Sequence, residues 1–142
     1  MHKQRGMTLV ELVTAMLVIS ILTAIAVPSY TAYMRKTRRA DAKVMLNTGA
    51  QQLERCYTRM NSYNDGTNDV NGNCPLALGA NASGTYSLAI AFDTTAGLPA
   101  GQSYTLTATP LGKQALDTAC GKFTLDQMGR QGVSAGTAAN CW

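Results

Sequence analysis

The chain has 142 residues and a formal net charge of +4, from 12 basic and 8 acidic side chains. This length accommodates one domain plus an N-terminal segment, and the mildly basic balance permits nucleic-acid contact without predicting it. The only histidine is His2. We find no Ser-His, Cys-His or paired-carboxylate catalytic arrangement and no glycine-rich phosphate loop. We therefore predict that the protein is not an enzyme and carries no cofactor or metal.

A short basic leader opens the chain and a long apolar stretch follows it. Lys3 and Arg5 precede Gly6, and no side chain is charged between residues 12 and 34. About 20 apolar residues suffice to cross the hydrocarbon core of a bilayer, so the stretch predicts a membrane-spanning helix. Glu11 lies alone near its start. A carboxylate is costly in lipid and therefore implies a purpose or a partner.

A single long helix is predicted from Thr8 to about Met60, because this interval contains only one proline and one glycine. We expect a kink near Pro28, since proline lacks a backbone donor and clashes with the preceding turn. Apolar residues recur at helical spacing in the second half and predict a face that packs on a sheet; they are Leu46, Ala50, Leu53 and Tyr57. A basic run precedes them, which we expect to be solvated or to face lipid headgroups or a neighbouring molecule; it comprises Arg35, Lys36, Arg38, Arg39 and Lys43.

The remainder of the chain predicts loops and an antiparallel sheet. Residues 61–84 are rich in Asn, Asp, Gly and Ser and predict a loop. Period-two alternation predicts strands at 85–92, 103–110 and 122–127 with one buried face. The side chains assigned to that face are Tyr86, Leu88, Ile90, Phe92, Tyr104, Leu106, Ala108, Phe123 and Leu125. After Met128 the chain is rich in Gly and Ala and has too few large apolar groups to fold alone.

Four cysteines are present, at Cys56, Cys74, Cys120 and Cys141. None belongs to a C-x-x-C pair, which argues against a zinc site. An even number in a chain with an export signal predicts two disulfides in an oxidising compartment. Of the three possible pairings, we favour nearest neighbours, Cys56–Cys74 and Cys120–Cys141. The second bridge would hold the C-terminal tail.

The leader and the residues after it resemble the start of a type IV prepilin. The leader ends in Gly6 and continues as MTLVEL into the apolar helix. In that family a dedicated membrane peptidase cuts after the glycine and methylates the new N-terminus, which implies cleavage between Gly6 and Met7 and methylation of Met7. The resemblance makes Glu11 the family's acidic assembly residue and Pro28 its helix-kinking proline. Met7 stands where the family usually has Phe.

The C-terminal half extends the resemblance to nearly the whole chain. Segments 104–110, 117–121 and 123–127 and the terminal Cys141-Trp142 look like minor pilins of the PilE type and are similar to ComP, a relative that acts as a DNA-uptake receptor. The implied α+β fold is a long N-terminal helix, its first half transmembrane, packed on a small antiparallel sheet with a disulfide-closed C-terminal region. The implied domains are a leader at 1–6, a transmembrane and assembly half at 7–34, and a periplasmic globular domain at 35–142.

The resemblance implies a minor pilin subunit that waits in the inner membrane and then enters a helical bundle at the axis of an extracellular pilus. Glu11 would there be paired with the positively charged N-terminus of a neighbouring subunit, because a buried carboxylate needs a partner. The implied partners are other pilins, the prepilin peptidase, the inner membrane and the pilus assembly machinery. The implied roles are pilus biogenesis, motility, adhesion or DNA uptake.

Several alternatives remain open at this point. The apolar stretch could be a secretory signal peptide cut after Ala26 or a plain N-terminal anchor. The excess of basic residues after the stretch would place the C-terminal part in the cytoplasm by the positive-inside rule, whereas the cysteines and the resemblance favour export. The protein could also be a major pilin, or a DNA-binding receptor at the pilus surface. For that last function the candidate contacts are Lys113, Lys122 and Arg130.

Overall fold

The computed structural model describes residues 7–63, 76, 78–92 and 101–142. Its elements in chain order are α1 (Leu9–Met60), β1 (Gly79–Ala80), β2 (Tyr86–Phe92), β3 (Tyr104–Pro110), a 3-10 helix (Gly112–Leu116), β4 (Phe123–Asp126), β5 (Gln131–Val133) and α2 (Ala138–Cys141). The chain forms two compact units, one ending at Lys36 and the other comprising Thr37–Trp142. Helix α1 contributes its first part to the first unit and the rest to the second.

The first unit consists of the apolar part of α1. An 18-residue window of this helix has a mean hydropathy of 2.4 with none of its residues buried, so the helix is long and apolar enough to cross a membrane. The exposed fraction is 80% for Leu9 at its start and 68% for Ile25 farther along. Pro28 lies inside the helix, and its carbonyl accepts a 2.9 Å hydrogen bond from the Thr31 hydroxyl. The kink expected at Pro28 stays a prediction.

The second unit is built on a five-stranded antiparallel sheet in the order β1-β2-β3-β4-β5. Its long central pair runs in register from Tyr86 opposite Pro110 to Phe92 opposite Tyr104. The predicted strands are confirmed to within one residue at each end. Their alternation is confirmed too, since Tyr86, Leu88, Tyr104, Leu106, Ala108, Phe123 and Leu125 are all buried. Ile90 and Phe92, assigned to the same face, are half-buried at its edge.

The second part of α1 packs on the buried face of this sheet. Its buried positions are Ala42, Leu46, Gly49, Leu53 and Cys56. Ala50 and Tyr57, which the spacing assigned to the same face, are half-buried and flank it. Gly49 lets helix and sheet approach closely, because a Cβ there would lie 3.1 Å from Leu106 Cδ1. The prediction that this part of α1 packs on the sheet is confirmed. The middle of the buried helix face is Gly49, whereas the spacing had assigned Ala50 to that face.

Two short strands lie where no strand was predicted. Strand β1 falls within the segment assigned to a loop and pairs Gly79 with Leu88. Strand β5 falls within the Gly- and Ala-rich tail and pairs Val133 with Phe123. The tail gains further support from Trp142, whose ring lies 5.8 Å from that of Phe123. The prediction that the tail has little besides a disulfide to hold it is therefore wrong, because pairing with β4 and an indole supply the missing contacts.

Candidate functional site

The start of α1 is closed by a pair of reciprocal hydrogen bonds between Thr8 and Glu11. The Glu11 amide donates to the Thr8 hydroxyl at 3.3 Å, and the Thr8 amide donates to Glu11 Oε2 at 3.5 Å. This is a capping box, which satisfies two of the amide donors that a helix start leaves unpaired. A carboxylate is also favoured at this end of a helix by the helix dipole. Glu11 thus has a partner within its own chain.

The capping box could have been found from sequence. Ser or Thr followed three residues later by Glu or Gln, just before an apolar run, marks a helix start. The lipid argument and the resemblance predicted a partner for Glu11 but assigned no role to Thr8.

Several hydroxyl side chains of the apolar helix are satisfied by its own backbone. The hydroxyls of Thr14 and Ser20 donate to the carbonyls of Glu11 and Met16 at 3.0 and 2.7 Å, and Thr23 donates to Ile19 in the same way. Such bonds allow a hydroxyl to enter lipid without an unmet donor. Within residues 7–34 this leaves Glu11 as the single charged side chain.

The predicted processing site adjoins the described part of the chain. Gly6 and the rest of the leader lie outside the described residues, and Met7 is the first residue described, with 71% of its surface exposed. Cleavage after Gly6 and methylation of Met7 stay predictions.

A polar clamp fixes the second part of α1 to the 3-10 helix. Arg39 donates from Nε to Asp117 Oδ2 at 2.7 Å and from Nη2 to Oδ1 at 2.8 Å, and both side chains are largely buried. Gln114 Nε2 donates to the Tyr86 hydroxyl at 3.1 Å and to Asp117 Oδ2 at 3.3 Å. The hydrogen bond to Asp117 raises the pKa of Arg39 above its ordinary value, and burial raises the pKa of Tyr86.

The clamp corrects the interpretation of the basic run. Arg39 does not belong to a solvated or neighbour-facing surface, because its guanidinium is committed to Asp117. A bidentate pair of this geometry is among the stronger hydrogen-bonded contacts in proteins. Its partner is 78 residues away in sequence, and no local pattern indicates a contact over that distance.

The bridge between Cys120 and Cys141 is confirmed. Both residues are buried, with their Cα atoms 5.8 Å apart. Gly136 allows the enclosed chain to turn back, because its φ is +69° and a Cβ there would lie 2.4 Å from the Ala119 carbonyl oxygen. Cys56 is buried in the second part of α1. Cys74 lies outside the described residues, so the Cys56–Cys74 bridge stays a prediction.

The three candidate DNA contacts lie at separate places in the second unit. Lys113 is exposed on the 3-10 helix, and Lys122 precedes β4, where its amide donates to Ser134 Oγ at 2.8 Å. Arg130 follows the β4–β5 turn, and its Nε donates to Asp126 Oδ2 at 2.5 Å. Lys122 and Arg130 therefore stand at opposite ends of β4, and the structure does not bring them together.

The carboxylate of Asp126 is fully used by the β4–β5 turn. Its Oδ1 accepts from the amides of Met128 and Arg130 at 3.0 and 2.8 Å. Burial by itself would raise the pKa of Asp126, but these bonds and the Arg130 side chain lower it overall. Because Arg130 is paired with Asp126, its positive charge adds little to the candidate basic surface.

Comparison with known protein families identifies the class to which this fold and helix start belong. Residues 28–124 match the family described as "Type IV minor pilin ComP, DNA uptake sequence receptor". Residues 1–27 match the prokaryotic N-terminal methylation motif. The chain belongs to this family of type IV minor pilins. The methylation motif and the apolar helix fit a membrane-anchored pilin that is assembled into an extracellular pilus.

Two curated relatives are similar over part of their length. The type IV major pilin protein PilA of Myxococcus xanthus is 28% identical over 68 residues, which are 48% of this chain and 31% of that protein. Prepilin peptidase-dependent protein D of Escherichia coli is 49% identical over 41 residues, which are 29% of this chain and 28% of that protein. The matches thus span about a third of the length of these relatives.

Two solved structures are similar to the chain. The non-core minor pilin PilV of Neisseria meningitidis superposes with a TM-score of 0.52 at 24% identity, over 77% of this chain and 94% of that one. A type IV pilin from Shewanella oneidensis gives a TM-score of 0.49 at 30% identity, over 76% of this chain and 97% of that one. The likeness to PilV supports the type IV pilin fold.

Proposed function

We propose that the chain is a minor subunit of a type IV pilus, held in the inner membrane by α1 and then incorporated into the fibre through the same helix. The observation that carries the proposal is the uncharged apolar part of α1, in which no residue of the membrane-length window is buried and which overlaps a methylation motif. Exposed apolar surface on this scale requires lipid or other protein around it. Lipid surrounds the helix in the membrane, and a fibre core of packed helices surrounds it with protein after it leaves the membrane. Because its family consists of structural subunits, we infer no enzymatic role.

Processing is the first step of the proposed pathway. The prepilin peptidase cuts between Gly6 and Met7, and Met7 becomes the methylated N-terminus. The motif match at residues 1–27 supports this step. Mass spectrometry of protein from fibres tests it, and the expected N-terminal peptide begins with methylated Met7. An N-terminus at Val27 would instead establish a signal peptide cut after Ala26 and would overturn the assembly role of Glu11.

Assembly is the second step, and its partners are other pilin subunits and the pilus assembly machinery. In the fibre, Glu11 is paired with the N-terminal amine of a neighbouring subunit, since a dry helical bundle penalises an unpaired carboxylate. Pro28 weakens the helix locally, because proline has no backbone N–H to donate to the preceding turn. Quantifying the chain against all other pilins in purified fibres tests the proposal. A few copies per fibre are expected of a minor subunit, a dominant share would make it the major pilin, and absence from fibres would overturn the proposal.

A second candidate function is reception of DNA at the pilus surface, since the matching family's description names a DNA uptake sequence receptor. Lys113 and Lys122 are the contacts that this function would use, because Arg130 is paired with Asp126. Binding of a short duplex by the full chain should then weaken steeply with salt as phosphate counterions are released. The doubly substituted chain Lys113→Ala/Lys122→Ala should show a shallower slope, and Arg130→Ala serves as the matched control. Affinity without this salt slope would exclude phosphate recognition by these side chains.

A further inference from the structure

An open groove of about 450 Å³ lies between the second part of α1 and the β4–β5 turn, entirely within the second unit. Amide side chains line both walls: Asn47 and Gln51 on the helix, Gln127 and Gln131 on the turn and the strand after it. Leu125, which is 5% exposed, contributes an apolar part of the base. A volume of this size is in the range of small-molecule sites, roughly 300–1,000 Å³.

Both walls are held in place by hydrogen bonds within the protein. Gln127 Oε1 accepts from the Tyr104 amide at 3.4 Å, and Asn47 Nδ2 donates to the Lys43 carbonyl at 2.8 Å. The turn is fixed by its two amide bonds to Asp126. The groove is therefore formed before a ligand arrives, which reduces the ordering cost that binding must overcome.

The amides along the walls retain hydrogen-bonding capacity. Among the residues that the structure describes, none bonds to the side chains of Gln51 and Gln131, and Nε2 of Gln127 and Oδ1 of Asn47 are likewise unused. A carboxamide combines two N–H donors with a carbonyl acceptor. Each wall therefore offers both donors and acceptors to a ligand in the groove.

The charges at the groove nearly cancel. Glu54 and Arg55 are adjacent on α1 and both line it, and Asp126 is paired with Arg130. A polyanion needs an excess of cations around it, so this composition favours a neutral ligand that both donates and accepts hydrogen bonds. Neighbouring hydroxyls on a sugar ring do both, and the C–H face of the ring suits an apolar base such as Leu125.

We propose that this groove binds a neutral sugar unit of a glycan, with Gln51 and Gln131 hydrogen-bonded to ring hydroxyls from the two walls and Leu125 beneath the C–H face. An extended peptide would instead pair with the main chain of a sheet edge, whereas the groups offered here are side-chain amides. The groove belongs to the second unit alone. The inference therefore goes beyond the proposed subunit function and depends on neither the membrane stage nor assembly into fibres.

The test titrates two neutral disaccharides, lactose and N,N′-diacetylchitobiose, into the full chain in phospholipid nanodiscs, which contain no sugar headgroups. Nuclear magnetic resonance of the side-chain amides reports contact at each wall. We expect at least one of these sugars to shift the signals of Gln51, Gln127 and Gln131. Its Kd should be the same at low and high salt, because no phosphate counterions are released, and this property separates the groove from the DNA-binding candidate.

Matched substitutions on α1 locate the site. Gln51→Ala should raise the Kd of the sugar about three- to tenfold, the size expected for one lost hydrogen-bonding amide, and Gln131→Ala should act similarly. Gln52→Ala is the control and should leave the Kd unchanged, since Gln52 directly follows Gln51 but lines a different groove.

The inference is overturned if neither sugar shifts these signals, or if Gln52→Ala weakens binding as much as Gln51→Ala does. Sialyllactose that binds more tightly than lactose and is released by salt would overturn it by assigning the groove to an acidic ligand recognised by Arg55. Shifts produced by acetyl-tetra-alanine amide but by neither sugar would overturn it by assigning the groove to peptides. A chain that binds sugar but is absent from fibres would contradict only the proposed subunit function, and one found in fibres that binds no sugar would contradict only this inference.

Discussion

At the scale of single residues, Glu11 has one observed and one proposed role. It closes the capping box with Thr8, and in the proposed fibre it pairs with the amine of a neighbour. Cleavage after Gly6 would place the chain's own amine one residue before Thr8. Capping needs only a hydrogen-bond acceptor, whereas the intersubunit pair needs a charge.

Glu11→Gln separates these demands, because glutamine also serves in a capping box but carries no charge. We expect the variant to stay in the membrane with an unchanged first helical turn and to be severely depleted from fibres. Thr8→Ala is the complementary variant and should weaken the helix start by about 1 kcal/mol while keeping the charge. Fibre fractionation measures incorporation, and hydrogen exchange measures the first turn. Normal incorporation of Glu11→Gln would show that capping alone explains the residue.

Arg39 should contribute to the stability of the fold through its pair with Asp117, and not to a surface that contacts lipid or another molecule. Arg39→Met keeps much of the apolar side-chain length but leaves Asp117 largely buried without its cation, which should cost roughly 3 kcal/mol of unfolding free energy. Lys43→Met is the matched control, since it removes a cation from a nearby position on α1 and should change stability by less than about 0.5 kcal/mol. Urea unfolding of both variants measures the difference. Equal effects would mean that the Arg39–Asp117 pair contributes nothing beyond general charge.

At the scale of elements, the long helix could be predicted because only one proline and one glycine interrupt it, and strands β2, β3 and β4 because apolar residues alternate along them. Tyr104, Leu106 and Ala108 alternate along β3, and Leu46 and Leu53 recur along α1. Strand β1 has two residues and β5 three, too few for a period to be visible. The Thr8–Glu11 box was visible and was overlooked, whereas the Arg39–Asp117 contact depends on tertiary structure and has no local signature.

The C-terminal region now predicts a graded response to loss of its bridge. Cys141→Ser removes the constraint on a loop of 21 residues, worth about 3 kcal/mol. We expect α2 and Trp142 to become accessible to protease while β5 stays paired with β4. Limited proteolysis with mass mapping measures this. Cleavage throughout 128–142 would show that the bridge alone holds the tail, and unchanged resistance would show that packing does.

Two glycines in this region allow the cost of a steric clash to be measured separately from the cost of a left-handed backbone. Gly136 and Gly129 have similar positive φ, +69° and +72°, but only Gly136 faces a close backbone atom, the Ala119 carbonyl oxygen. Gly129→Ala should cost about 1 kcal/mol for the left-handed backbone alone. Gly136→Ala should lower the unfolding free energy clearly more, because the backbone at Ala119 would have to move away from the new methyl group. Thermal unfolding of both variants measures the difference, and equal costs would mean that the loop relaxes freely around the new methyl group.

At the scale of the whole molecule, the two units face different surroundings. The first has its apolar side chains exposed, and the second contains the hydrophobic core, from Ala42 to Cys141. A chain that begins at Thr37 should therefore be recovered without membrane and unfold cooperatively, since each core contact is retained. Denaturant unfolding monitored by circular dichroism checks this. A gradual, non-cooperative transition would mean that the second unit depends on the apolar helix for its stability.

The clamp between Arg39 and Asp117 also sets an order of events during export. The two residues are 78 positions apart, so Arg39 emerges from the membrane long before its partner has been translocated. Contacts between such distant positions form late, because a long loop must first be closed. The second part of α1 can be joined to the 3-10 helix only after residue 117 has crossed, and Cys141 arrives later still. An interrupted translocation would leave a cation without its carboxylate and a cysteine without its partner, and in both respects that state would differ from a finished subunit.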